Sequence, residues 1–157
     1  MNMLGDDLTE FQQAEKTALR LIARAEQCSS GLSLKLEKRG FDTACIREVI
    51  VRLSEANLLD DKRYSGMWLR SRLHFTRSPK KLFSSLCAKG IDRGDAQAAL
   101  KEVLDEETEF SLLTRYVKKN EKKSPAKTGE NRVRSVKFML KNEGFSVKSI
   151  QKFFNEE

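Results

Sequence analysis

Side chains that could do chemistry are concentrated in one class, the cations. Between Arg115 and Lys141 stand ten basic residues: Arg115, Lys118, Lys119, Lys122, Lys123, Lys127, Arg132, Arg134, Lys137 and Lys141. Only Glu121 and Glu130 oppose them, a local surplus of eight positive charges that exceeds the +7 of the whole chain. At helical spacing, Arg115, Lys118, Lys119, Lys122 and Lys123 lie opposite an apolar stripe of Phe110, Leu113 and Val117. Arg134, Lys137 and Lys141 make a second stripe, clear of Val133, Val136 and Leu140. A smaller group, Arg70, Arg72, Arg77, Lys80 and Lys81, precedes them. Arg77, Lys80 and Lys81 fall at a loop and helix start, where backbone N–H groups also favour anions. The chemistry of such faces is polyanion binding, to phosphates or to acidic protein surfaces. A face touching about five phosphates would lose affinity with salt at a logarithmic slope of roughly −4 to −5.

Other chemistries lack their residues. The only histidine, His74, has no evident Ser or Cys partner in the sequence, and Cys28, Cys45 and Cys87 are too far apart for a zinc pattern. Asp60-Asp61 precedes a helix and is read as a capping pair rather than as paired catalytic carboxylates. There is no phosphate-binding P-loop, no dinucleotide fingerprint and no G-x-S-x-G elbow. The expectation is a protein that is not an enzyme and uses no cofactor or metal. Odd, widely spaced cysteines predict reduced thiols. The opening MNMLGDDLTEF lacks an apolar run, and no stretch nears the roughly 18 apolar residues of a membrane span. A cytoplasmic protein without membrane contact is predicted.

The elements that must hold these cations repeat. LEKRGFD (36–42), LCAKGID (86–92) and LKNEGFS (140–146) are near-copies. Aligned on Gly40, Gly90 and Gly144, apolar residues agree eight and four positions before the glycine and one, six, nine and ten after it. Glycine at the residue after a helix end adopts the left-handed backbone, and the following residue packs back on the last turn. The contacts Leu36–Phe41, Leu86–Ile91 and Leu140–Phe145 are therefore predicted. Asp42, Asp92 and Ser146 are predicted to N-cap the next helix.

A further helix precedes each pair. The first, around 11–25, carries Phe11, Ala14, Ala18, Leu19 and Ile22. The second runs from Asp60-Asp61 to about Phe75. With Tyr64, Met67, Trp68, Leu69, Leu73 and Phe75 around its circumference, it is expected to be the most buried. The third carries Phe110, Leu113, Tyr116 and Val117. Ser78-Pro79 reads as N-cap and first helical residue. The strand-like alternation at Leu32, Leu34 and Leu36, and the run Val49-Ile50-Val51, are overruled by their helical repeat partners. The expected fold is all-α: three tandem three-helix repeats (1–59, 60–107 and 108–157) in an elongated, curved array of right-handed type. A Lys-rich loop insertion is placed near 122–132.

LLDDKRY (58–64) followed by SRLHFTRSPKKLFSSLCAKGID (71–92) resembles the signature of RecX, the bacterial regulator of the RecA recombinase. The carrying positions are Leu59, Asp60, Asp61, Arg63 and Tyr64, then Lys89, Gly90 and Ile91. ALRLIARAEQ with KLEKRGF resembles the family's first unit, and VRSVKFMLKNEGFSVKSIQKFF its third. The sequence departs from the family's pattern at FTRSPKKL, where glycines are usual, and at Gly31, where an acidic residue is usual. The resemblance implies a monomer lying in the groove of the RecA–DNA filament, with single- or double-stranded DNA in the complex. There it would inhibit ATP hydrolysis, strand exchange and coprotease activity and limit filament extension. Two other readings fit the residues. One is a stand-alone nucleic-acid-binding protein with helix-turn-helix-like units. The other is a scaffold for an acidic partner protein.

Overall fold

The computed structural model describes residues 8–121 and 129–156. Among the described residues there are nine α-helices and no strand. They run α1 (Glu10–Arg24), α2 (Ser29–Lys38), α3 (Thr43–Glu55), α4 (Asp61–Arg72), α5 (Pro79–Ala88), α6 (Arg93–Val103), α7 (Glu106–Glu121), α8 (Glu130–Asn142) and α9 (Val147–Glu156). They form three successive three-helix units in an elongated array. Leu34 and Val51, the residues behind the strand-like alternation, sit on the outer faces of α2 and α3, 51% and 55% exposed. The alternation therefore reflects exposed apolar residues rather than sheet pleating. The last three residues of the expected 122–132 loop, Glu130–Arg132, are the first turn of α8; residues 122–128 lie outside the described residues.

The glycine turns form as the spacing requires. Gly40, Gly90 and Gly144 have φ of +87°, +85° and +90°. In each turn the residue after the glycine donates its N–H to the carbonyl five residues back: Phe41 to Leu36 at 3.3 Å, Ile91 to Leu86 at 3.2 Å and Phe145 to Leu140 at 3.1 Å. These are Schellman-type caps. Leu36, Leu86 and Leu140 are all fully buried. A fourth cap of the same type, unmarked by glycine, joins the first and second units. Asn57 takes φ +58°, and Leu58 donates to the Leu53 carbonyl at 3.0 Å. Asparagine tolerates this conformation better than most residues, so the signal was present in a single Asn.

Capping by the residue two after the glycine holds for Asp92, which accepts from the Gly94 N–H at 3.0 Å, and for Ser146, which accepts from the Ser149 N–H at 3.2 Å. It fails for Asp42, whose side chain makes no cap bond. There the N–H of Asp42 donates to Glu10 Oε1 at 2.8 Å, and the N–H of Ser146 likewise donates to Glu109 Oε1 at 2.6 Å. In the first and third units an acid near the start of the leading helix thus clamps the turn between the other two.

The apolar repeat positions fill two cores. Ala14, Ala18, Leu32, Leu36, Ile46, Val49, Leu53 and Leu59 close the first unit. The second and third units share one continuous core, from Leu69 and Leu82 through Leu112 and Leu113 to Leu140 and Ile150. Leu112 is fully buried although the expected α7 stripe omitted it. α4 departs from expectation. Met67 and Phe75 are exposed, and its inward face is completed by Ser65 and Gly66, small residues that allow close packing. The α-helix ends at Arg72. Leu73–Phe75 is one 3-10 turn, stopped by Thr76 at φ +55°.

The joints between units repeat one geometry. The Gly90 turn packs on the start of α2, where a Cβ on Gly90 would collide with the Ser30 side chain. The Gly144 turn packs on the start of α5, where an added Cβ would lie 3.1 Å from the Lys80 nitrogen. Ser30 and Lys80 occupy the same register, ten residues before their own unit's glycine. Each joint also supplies an acceptor to a free N–H of that helix start. Asp61 accepts from the Ser29 N–H at 2.7 Å, and the Glu143 carbonyl accepts from the Lys80 N–H at 3.0 Å.

Candidate partner-binding surface

The residues carrying the family resemblance gather at the first joint. Leu59 is buried, and Asp60 caps α4 by accepting from the Arg63 N–H at 3.0 Å. Asp61, expected to cap its own helix, reaches instead across to α2, whose own N-cap residue Cys28 makes no side-chain cap bond. Arg63 donates to Glu26 at 2.8 Å and to the Asn57 carbonyl at 3.1 Å. The carboxylate holds its guanidinium pKa above the ordinary arginine value. Tyr64 is half-buried, and burial pushes its phenol up; the neighbouring Cys28 thiol adds to the rise and Arg72 opposes it. Together with Lys89, Gly90 and Ile91 these residues hold the first unit against the second.

The cations distribute differently from their order in sequence. Arg72, at the end of α4, places its guanidinium carbon 5.5 Å from the Trp68 ring centre and 5.7 Å from that of Phe75. The Arg77 guanidinium carbon also lies 5.7 Å from the Phe75 ring centre, and Lys89 Nζ lies 5.7 Å from that of Trp68. The result is an alternating ladder, Lys89–Trp68–Arg72–Phe75–Arg77. Cation–aromatic attraction of this kind is worth about 0.5–1 kcal/mol per contact at exposed sites and more where water is excluded. His74 stacks beside it, its ring centre 4.0 Å from that of Phe75. α7 closes the ladder's open end. Arg115 donates to the Leu73 carbonyl at 3.0 Å and Lys119 to the Phe75 carbonyl at 3.4 Å. Cations thereby sit at the carbonyl end of α4 and its 3-10 turn, where the helix dipole favours them. Arg72 and Arg77 of the smaller basic group are thus brought beside Arg115 and Lys119 of the larger one.

Several expected site residues are placed elsewhere. Arg115 is half-buried and serves as a strut between units rather than as part of an open face. Arg70 lies by a cavity of about 350 Å³ that it shares with Asp60, Lys62, Arg63 and Glu102, so carboxylates offset its charge. Lys80 and Lys81 are exposed, but their backbone N–H groups are already bonded, to the Glu143 carbonyl and to Ser78 Oγ, and offer nothing to an anion. Lys118 is exposed on α7. Arg134, Lys137 and Lys141 form an exposed stripe on α8, as expected, next to Phe138, which is 68% exposed. Lys122 and Lys123 lie outside the described residues. Trp68 and Phe75, read from the sequence only as core, are the aromatic rungs that sequence reasoning missed. Their signal was Trp68 and Arg72 four apart on one helical face, followed by Phe75 and Arg77. Among the described residues no group of three or more His, Cys, Asp or Glu could hold a metal, and no helix is long and apolar enough to cross a membrane.

A tandem three-helix-repeat protein with a cation-rich, aromatic-studded face is the class that this fold and surface define. Residues 60–100 match the family model described as RecX, second three-helix domain. The chain is 34% identical over 108 residues to the regulatory protein RecX of Treponema pallidum, covering 68% of this chain and 66% of that protein. It is 33% identical over 102 residues to the regulatory protein RecX of Halorhodospira halophila, covering 64% and 61%. The aligned stretch is thus just under two thirds of these relatives' length. The crystal structure of RecX from Lactobacillus salivarius superposes with a TM-score of 0.68 at 22% identity, over 94% of this chain and 96% of that one. A second crystal structure of regulatory protein RecX gives 0.74 at 20% identity, over 94% and 72%. The chain belongs to the RecX family.

Proposed function

We propose that this protein is a non-catalytic regulator of a RecA recombinase. It would bind the RecA–DNA filament as a cytoplasmic monomer and restrain ATP hydrolysis, strand exchange and coprotease activity, and with them recombination, DNA repair and the SOS response. Family membership is the observation that carries this reading. The repeated joints support it, because an array of similar units suits a polymer that offers a periodic groove rather than one pocket. The ladder and its neighbour Lys119 are the surface proposed to meet the filament, together with the exposed Lys118 on α7 and the exposed α8 stripe of Arg134, Lys137 and Lys141.

The test is the steady-state ATPase of the cognate RecA on single-stranded DNA. Substoichiometric to equimolar amounts of this protein are expected to suppress turnover, and Arg77→Gln with Lys119→Gln to weaken the suppression roughly tenfold, about 1.4 kcal/mol. Unchanged turnover on adding the wild-type protein would remove the reading. The exposed cations Lys118, Arg134, Lys137 and Lys141 favour a second one, direct binding to DNA phosphates. It predicts tight binding to DNA without RecA, lost on charge reversal of these four residues and weakening steeply with salt.

A further inference from the structure

The ladder contains an anomaly that partner binding in general does not explain. Trp68 Nε1 and Arg72 Nε are both buried N–H donors, and neither has a hydrogen-bond partner among the described residues. Trp68 is only 7% exposed, and Arg72 follows it by one helical turn with its guanidinium against the indole. Buried donors without acceptors are uncommon in native structures and costly to keep. Nor is the positive charge answered. Arg72, Arg77 and Lys89 surround two aromatic rings, and none of the three forms an ion pair among the described residues. Ion pairs do form elsewhere on the surface, as at Arg63–Glu26 and Lys148–Glu106. The ladder is where cations and unsatisfied donors coincide.

We infer that Trp68 and Arg72 form a receptor for an oxyanion, and that its occupant is a side-chain carboxylate, Asp or Glu, presented by a protein partner. The edge of a guanidinium that includes Nε matches a carboxylate with two parallel hydrogen bonds, a geometry an ammonium group cannot reproduce. Depth decides between the two oxyanions a filament could offer. Arg72 is half-buried with its Nε enclosed, so an oxyanion meets that edge only by displacing the groups that cover it, a narrow approach open to a carboxylate on a slender side chain and closed to a phosphodiester, which carries a sugar on either side. The 44% exposed Phe75 supplies an apolar rim beside the charge, the pairing of aromatic anchor and arginine that recurs at protein interfaces. The recombinase reading above enters only in suggesting a protein as the donor, so the site is tested without a recombinase.

Trp68 is the only tryptophan in the chain, so its emission reports on this site alone. The probes are poly-L-glutamate, which presents side-chain carboxylates, and oligo(dT), which presents phosphodiesters, each titrated at constant physiological ionic strength. The expected result is a saturable change of Trp68 emission with poly-L-glutamate, and an affinity at least tenfold weaker in Arg72→Lys, which keeps the charge but lacks Nε. Arg77→Gln, at the Phe75 end of the ladder, is expected to weaken binding to a smaller extent, whereas Lys16→Gln, at an exposed position of α1, leaves it unchanged. Far-UV circular dichroism confirms that each variant is folded. No response to poly-L-glutamate, or equal affinity in wild type and Arg72→Lys, would overturn the inference. So would an Arg72-dependent response to oligo(dT) in place of poly-L-glutamate, which would assign the site to phosphodiester. None of these outcomes depends on whether RecA turnover is suppressed.

Discussion

Gly40 and Gly90 occupy the same register of the repeat and meet different surroundings. Both need a left-handed backbone, which costs an alanine roughly 1–2 kcal/mol. A Cβ at Gly40 would find nothing within 4 Å, whereas one at Gly90 would run into both side-chain heavy atoms of Ser30. Gly40→Ala is therefore expected to lose only the conformational energy, and Gly90→Ala about 1–3 kcal/mol more from overpacking. Denaturant unfolding of the two variants, with Ser30→Gly alone and combined with Gly90→Ala, isolates that difference as a coupling energy. Equal losses at the two glycines, or no recovery in the combined variant, would contradict the joint. The sequence displayed these glycines and their caps openly because a positive φ leaves a residue-level mark. The ladder left a weaker mark, Trp68 and Arg72 four apart with Phe75 and Arg77 beyond them, because the aromatics Trp68 and Phe75 read alike whether they face a core or a partner.

At the scale of elements, helix ends decide how the units lock. Periodicity placed every helix, yet it misassigned Asp61, whose carboxylate serves the start of α2 rather than α4. Such bonds depend on which helix end lies opposite, a fact of tertiary packing that local spacing does not hold. Arg115 is the same case, read as an exposed cation because the carbonyl it meets, that of Leu73, is forty-two residues away in sequence. The start of α7 offers a test by pH. The Thr108 backbone N–H holds the Asp105 carboxyl below its ordinary value, and the hydrogen bond from Lys148 on α9 does the same for Glu106. Carboxyls depressed in the folded state contribute stability that is fully present above their unfolded values, about 4, and is lost as pH falls through the lower folded values. Asp105→Asn keeps a capping side chain but removes the titration. Combined with Glu106→Gln, it is expected to lower the denaturant midpoint at neutral pH and to converge on wild type under acid conditions. A gap between the two proteins that stayed constant with pH would exclude this account.

For the whole molecule, the division of the core matters more than the count of repeats. The repeat suggests three equivalent units, but buried residues form one core in the first unit and a second that runs through the other two. The reason is visible in the residues. Leu112 and Leu113 on α7 join Leu82 and Leu86 of α5 in one cluster, whereas the first joint is made mainly by polar contacts, Asp61 to Ser29 and Arg63 to Glu26. Cys28 is the one residue of the first unit buried in the second core. Polar contacts of this kind contribute less than apolar burial, so the first unit is expected to open independently of the rest. Leu36→Ala and Leu86→Ala remove equivalent, fully buried side chains, each at a cost of about 2–5 kcal/mol. Hydrogen exchange read by mass spectrometry is expected to quicken in α1–α3 for Leu36→Ala, and across α4–α9 for Leu86→Ala. Exchange that quickened equally in all nine helices with either variant would mean a single cooperative unit. In that case the first joint would hold the array as firmly as the shared core does, and the first unit could not shift on the others when a partner binds.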